Sequence, residues 1–166
     1  MKSRIDRLLC EIMIYPENLE DIIGVNTVRQ FIKEKCLSSL GEERVETMSF
    51  STDYNKVQEL LNQTNEFLLI IRNNENFPTD NFIDNREVLV HIIEDITAWF
   101  SETELFELMK TLVAVQDIVH FLNRLKNDKG VSKYPFLNRL ANQVQTFPLI
   151  IDKIVTVLDS SSGVLK

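Results

Sequence analysis

The stretch KCLSSLGEERVETMSFSTD, Lys35 to Asp53, crowds a cysteine, four serines, two threonines and several carboxylates into a short span. Such a set could support nucleophilic chemistry by Cys36, provided a base stands within hydrogen-bond reach to take the proton. His91 and His120 are the two histidines, and no local signature ties either to Cys36. Cys36 instead continues the apolar spacing of Val28, Phe31 and Ile32, where a small thiol packs as core. The hydroxyls and acids read equally well as helix punctuation. Ser39-Leu-Gly-Glu42 has the S-x-x-E form of a capping box, opening a short helix with Leu40, Val45 and Met48 on one side.

The remaining chemistry-bearing groups are sparse. Asp117 lies three residues before His120, close enough on a helix for one weak contact. No second D-x-x-H or E-x-x-H completes a di-metal set, so both histidines read as structural or surface residues. Neither G-x-x-x-x-G-K-[ST] nor G-x-G-x-x-G occurs, and the four glycines are isolated. This excludes a P-loop or a Rossmann dinucleotide site within the chain.

Charge narrows the partners. The 166 residues carry a formal net charge of −7, whereas a domain that binds nucleic acid unaided shows a basic footprint. The acidic bias is strongest between Asp84 and Glu107, where Asp84, Glu87, Glu94, Asp95, Glu102, Glu104 and Glu107 face one Arg86. A solvated helix face explains these acids, and a docking surface for a basic partner is the alternative. The reverse bias gathers Arg124, Lys126, Lys129, Lys133 and Arg139 against Asp128 alone. That group is the candidate patch for nucleic acid or another anionic partner, with Tyr134 and Phe136 available for stacking. The dipole at a helix C-terminus accounts for Arg124 and Lys126 without any ligand.

The elements that would position these groups are helical almost throughout. Apolar residues recur at 3.6-residue spacing, first over Val28 to Cys36 with Asn26 as N-cap. They recur again over Val57, Leu60, Leu61, Thr64, Leu68 and Ile71, with Asp53 in the first turn of a helix starting after Ser51 or Thr52. The Asn-, Asp- and Pro-rich run from Asn73 to Asp84 predicts a loop, and a helix over about 86–95 follows. Ser101 and Glu104 form a second capping box, with Phe100 and Leu105 as its hydrophobic staple. The helix that begins at Glu102 has a stripe wide enough to face more than one neighbour and ends near Lys126, before Gly130 and Pro135. Prolines 135 and 148 open two further helices, over about 135–144 and 148–158. The expected fold is all-α, a bundle-like array of about six to seven helices. No run approaches the ~18 apolar residues of a membrane span, and Cys10 and Cys36 in no paired motif suit a reducing cytoplasm.

From Met13 the order IYPENLEDIIG, KEKCLSSLGEERV, LLNQTNEFLLII, SETELFELMKTLVAVQDIVHFL and YPFLNRLANQVQTFPLIIDKI resembles the N-terminal opening of the MutS-like proteins of the second bacterial branch. These lack the mismatch-reading and connector domains and start in the helical core. The resemblance implies that residues 13–166 are the first part of the lever, linking clamp to ATPase, with residues 1–12 an extension ahead of it. It implies a longer parent of which this chain is a piece: a homodimeric DNA-binding ATPase using ATP and Mg, often with a C-terminal Smr nuclease domain. Such parents act in recombination control or in rescue of stalled ribosomes. None of the family's catalytic residues falls on this chain, so no catalytic, cofactor or metal residue is expected here, and no membrane partner. The rival reading is a stand-alone helical protein-protein interaction adapter that uses its acidic face.

Overall fold

The computed structural model describes residues 19–126, 130–159 and 162–165. The expected boundary between residues 12 and 13 and the cation Lys129 lie outside these. The chain divides into two compact units, Met1–Met48 and Ser49–Lys166. The described residues form eight helices and no strand, with two isolated antiparallel bridges, so the fold is all-α as expected. The helix beyond the expected six to seven is the four-residue α1, Leu19–Ile22, too short to leave a periodic apolar signal.

The first unit contains α1, α2 (Val25–Lys33) and α3 (Ser39–Glu46). Gly24, at φ 78°, turns α1 directly into α2, a left-handed conformation that costs glycine nothing. The cap position therefore falls before Asn26, and Asn26 is not the N-cap. Its amide donates to Asp21, and its Oδ1 accepts from Arg29 Nη1 at 2.7 Å. One residue of displacement also separates α3 from expectation. Ser38, not Ser39, is its N-cap, accepting from the Gly41 N–H. Ionic and polar ties join α2 to its neighbours: Arg29 to Glu20 at 2.7 Å and to the Met48 carbonyl at 2.6 Å, and Lys33 to Glu46 and Glu42. Val45 is the buried apolar residue of α2 and α3. The stripe of Val28, Phe31 and Ile32, expected to be core, is exposed, because α2 meets α3 through its charged face.

The second unit is built around α6 (Glu102–Arg124), on which α7 (Pro135–Ala141) and α8 (Pro148–Val157) both pack, while α4 (Tyr54–Arg72) packs on α7. The capping box opens α6 as expected: Ser101 Oγ accepts from the Glu104 N–H and Glu104 accepts from the Ser101 N–H at 2.8 Å. One core cluster joins Ile70 of α4, Phe121 and Leu122 of α6, and Tyr134, Leu137 and Ala141; the other joins Met109 to Ile154 and Leu158. The loop before α5 (Arg86–Glu94) is pinned twice. Phe77 sits edge-on to both Phe67 and Phe121, and the buried Asn85 amide donates to Thr111 Oγ1 at 2.8 Å.

Two corrections concern α4. Asp53 is its N-cap, taking the N–H groups of Asn55 and Lys56, and not a first-turn residue. More consequentially, the predicted stripe Val57, Leu60, Leu61, Leu68 and Ile71 is exposed, and Glu66 and Ile70 are the buried residues. The inward face of α4 serves α7, which opens on Pro135 with no side-chain cap of its own. Glu66 supplies the missing acceptors, taking the Phe136 N–H at 3.1 Å and the Leu137 N–H at 2.8 Å. A carboxylate at a helix N-terminus meets both unsatisfied donors and the positive end of the dipole.

Candidate functional site

The stretch that first suggested chemistry is occupied by helix ends. Ser38 caps α3, Asp53 caps α4, and Thr47 Oγ1 donates to the Glu43 carbonyl as α3 closes. Cys36 is half-buried rather than core, its thiol 3.5 Å from the Ile32 carbonyl and packed against Gly41. Both histidines are exposed. Among the described residues, no three His, Cys, Asp or Glu side chains gather where they could hold a metal ion.

His120 does line an open groove with Asn76, Pro78, Asp117, Phe121, Asn123 and Arg124. It offers one cation, one acid, two amides and the His120 ring, with the buried Phe121 in its lining. No nucleophile or paired acid stands in it.

The basic group at the end of α6 is partly brought together. Lys126 faces Ser132 in an antiparallel bridge, and the Lys133 N–H donates to the Leu125 carbonyl at 2.9 Å, so the backbones of Lys126 and Lys133 are held close together. Two of the described cations, however, are matched by acids. Lys133 pairs with Glu75, and Arg139 lies 3.8 Å from Glu59 with its guanidinium 5.4 Å from the Phe136 ring centroid. Arg124 and Lys126 are exposed. The net field is therefore weaker than the residue count implies.

Tyr134 is not a stacking surface, contrary to expectation. It is fully buried, and its hydroxyl donates to Glu75 Oε1 at 2.7 Å while accepting from the Asn73 amide. Burial pushes the Glu75 carboxyl up, but the bonds from Lys133 and Tyr134 outweigh it and hold the group below its ordinary value. The Glu75 hydrogen bond in turn raises Lys133. Sequence reasoning missed both Glu66 and Glu75. For Glu66 a signal existed: Pro135 opens a helix whose preceding residue, Tyr134, cannot cap it, so an acceptor had to come from elsewhere.

The acidic run forms a second open groove along α5, lined by Asp84, Arg86, Glu87, Val90, His91 and Glu94. Asp84 grips Arg86 in a double contact, Nε to Oδ1 at 3.0 Å and Nη2 to Oδ2 at 2.8 Å. The groove lining carries three carboxylates, of which Asp84 is engaged by Arg86.

No helix of the described residues is long and apolar enough to cross a membrane. No protein-family model matches the chain, and no solved structure does. Curated proteins do. The chain is 32% identical over 134 residues to the endonuclease MutS2 of Staphylococcus haemolyticus, covering 80% of this chain and 16% of that protein. It is 26% identical over 133 residues to the MutS2 endonuclease of Alkaliphilus oremlandii, with the same coverage. For that of Shouchella clausii the identity is 26% over 149 residues, 90% of this chain and 19% of the relative. The chain spans less than a fifth of the length of the relatives it matches, and along that span it is a MutS2-like, all-helical polypeptide.

Proposed function

We propose that the chain is a non-catalytic helical core segment of a MutS-like DNA-binding ATPase of the mismatch-repair family, the lever that links a nucleic-acid-embracing clamp to an ATPase. The observation that carries this reading is the lopsided coverage, 80–90% of this chain against 16–19% of each MutS2 endonuclease. A lever must transmit displacement without deforming. Helix α6 suits that role: its 23 residues span about 35 Å at ~1.5 Å per residue, and both core clusters grip it. Packed interiors resist compression, so a push at one end of such a helix arrives at the other.

In this reading ATP, Mg and any nuclease chemistry belong to other parts of a cytoplasmic, homodimeric parent, as do its dealings with DNA or a stalled ribosome in recombination control or rescue. Residues Arg124, Lys126, Lys129, Lys133 and Arg139 give at most an accessory contact to an anionic partner, since two of them already hold acids.

Sequencing the reading frame past Lys166 tests the proposal directly. Continuation into G-x-x-x-x-G-K-[ST] supports it; a stop codon immediately after Lys166 overturns it. A biochemical check uses the 166-residue chain itself, which is expected neither to hydrolyse ATP nor to bind duplex DNA tightly at physiological salt. Sub-micromolar duplex binding by this chain would move function to the α6 end.

A further inference from the structure

Two exposed apolar surfaces of the second unit differ in kind. That of α4 is a long stripe, Val57, Leu61, Leu68 and Ile71, resembling a core face cut open. The other is a small knuckle at the end of α5, where Ile93, Ile96 and Trp99 are 81%, 99% and 82% exposed.

The knuckle is held firmly. Asp95 Oδ1 accepts both the Thr97 N–H at 2.8 Å and the Thr97 hydroxyl at 2.7 Å, and the Ala98 N–H returns to the Asp95 carbonyl at 2.9 Å. The Thr97 hydroxyl and N–H hold the Asp95 carboxyl below its ordinary value, and the Ser101 hydroxyl does the same for Glu104. Three large apolar side chains thus stand in water on an ordered turn, where exposing them gains nothing for the fold. The acidic groove of α5 lies alongside. Its Glu87 and Glu94 are exposed and no cation pairs with either among the described residues.

Interfaces between separate proteins combine an apolar centre depleted of charge with a polar, solvent-accessible rim. The geometry points to the knuckle and its groove as a docking surface for a separate protein bearing a basic amphipathic segment, its apolar side chains on Ile96 and Trp99 and its lysines or arginines between Glu87 and Glu94. A second copy of the same face is excluded as occupant, because like charges would be brought together. Anionic surfaces, lipid or nucleic acid, are excluded for the same reason. This inference does not depend on the lever reading.

Trp99 is the single tryptophan of the chain, so the site reports on itself. A synthetic amphipathic Lys/Leu helical peptide, titrated into the 166-residue chain, is expected to move Trp99 emission to the blue and to saturate. The Glu/Leu counterpart should leave emission unchanged, and a Lys/Ser peptide should bind at least tenfold more weakly. Anisotropy of the labelled Lys/Leu peptide then reads the variants. The double variant Glu87→Lys/Glu94→Lys, and separately Ile96→Ser, should each weaken binding at least tenfold with unchanged circular dichroism, while Ile71→Ser on the α4 stripe should not. Absence of a saturable shift overturns the proposal. So does equal binding of the Glu/Leu peptide, or unchanged affinity in the Glu87→Lys/Glu94→Lys protein.

Discussion

Helices α4 and α6 belong to one compact unit and both carry clear apolar stripes, yet the structure uses them oppositely. In α6 the stripe is where α7 and α8 pack, and Met109, Phe121 and Leu122 vanish from the surface. In α4 the stripe looks outward, and the inward face is organised by a carboxylate. Periodicity identifies a face that would gain from burial; it does not name what buries it. The inward face of α4 meets a polar need of α7, whose first N–H groups take Glu66 as their acceptor. An unmet buried donor costs about 1–3 kcal/mol, as much as burying one aliphatic side chain gains.

Neighbouring residues of α4 allow the comparison to be broken most directly. Ile70 is fully buried while Ile71 is 58% exposed. Ile70→Ala should lower stability by about 2–5 kcal/mol through lost transfer energy and a cavity, whereas Ile71→Ala should stay within about 0.5 kcal/mol. Urea unfolding of both variants reads the difference. Equal costs would mean that the stripe is covered in solution, and the contrast with α6 would dissolve.

The polar side of the contrast is sharpened by Glu66. Glu66→Ala strands the N–H groups of Phe136 and Leu137, two donors whose loss together should cost roughly 2–4 kcal/mol. Glu66→Gln keeps an acceptor oxygen and should recover part of it. Hydrogen exchange at Phe136 and Leu137, faster in the alanine variant, would localise the effect to the start of α7.

At the far end of α6 the stripe is closed by a turn rather than by a helix. Gly163 has φ 72°, and a Cβ there would stand 2.7 Å from the Phe106 ring. Gly163→Ala should therefore cost about 1–3 kcal/mol from backbone conformation alone, with loss of the Leu158–Leu165 bridge. Gly24→Ala, equally left-handed but with nothing within 4 Å, isolates the backbone part in thermal melts of the two variants.

Much of this fold was legible in the chain, and the failures share a physical cause. The capping box at Ser101, the opening prolines of α7 and α8 and the central place of α6 all follow from groups within a few residues of one another. The errors at Asn26, Ser39 and Asp53 are each shifts of one or two positions among residues able to cap equally well, decided by a glycine turn or by the neighbouring helix. What could not be read was long-range pairing. Glu66 meets Leu137 across 71 residues of chain, and Glu75 meets Tyr134 and Lys133 across 59 and 58, separations that no local rule connects. The same blindness made Tyr134 look like a stacking ring and Lys133 look like part of a phosphate-binding patch.

The Glu75–Lys133 pair supplies the smallest effect, and its sign can be worked out. The Glu75 carboxyl is held below its unfolded value, so the folded protein binds fewer protons there than the unfolded chain as pH falls into the carboxylate range. Its contribution is present above that range and is lost as pH drops through the folded value. Lys133 is raised, so its contribution is present below the ordinary lysine value and fades as pH climbs through the raised one. The pair thus stabilises the junction of α4 and α7 across neutral pH and weakens at both extremes. Its partly exposed lysine keeps the effect small. Glu75→Gln retains an acceptor for Tyr134 and removes the charge, so its stability should differ from the parent protein's at neutral pH and converge with it in acid. A gap that stays constant down through the carboxylate range would show that Glu75 acts on Tyr134 as a neutral acceptor and that its charge contributes nothing.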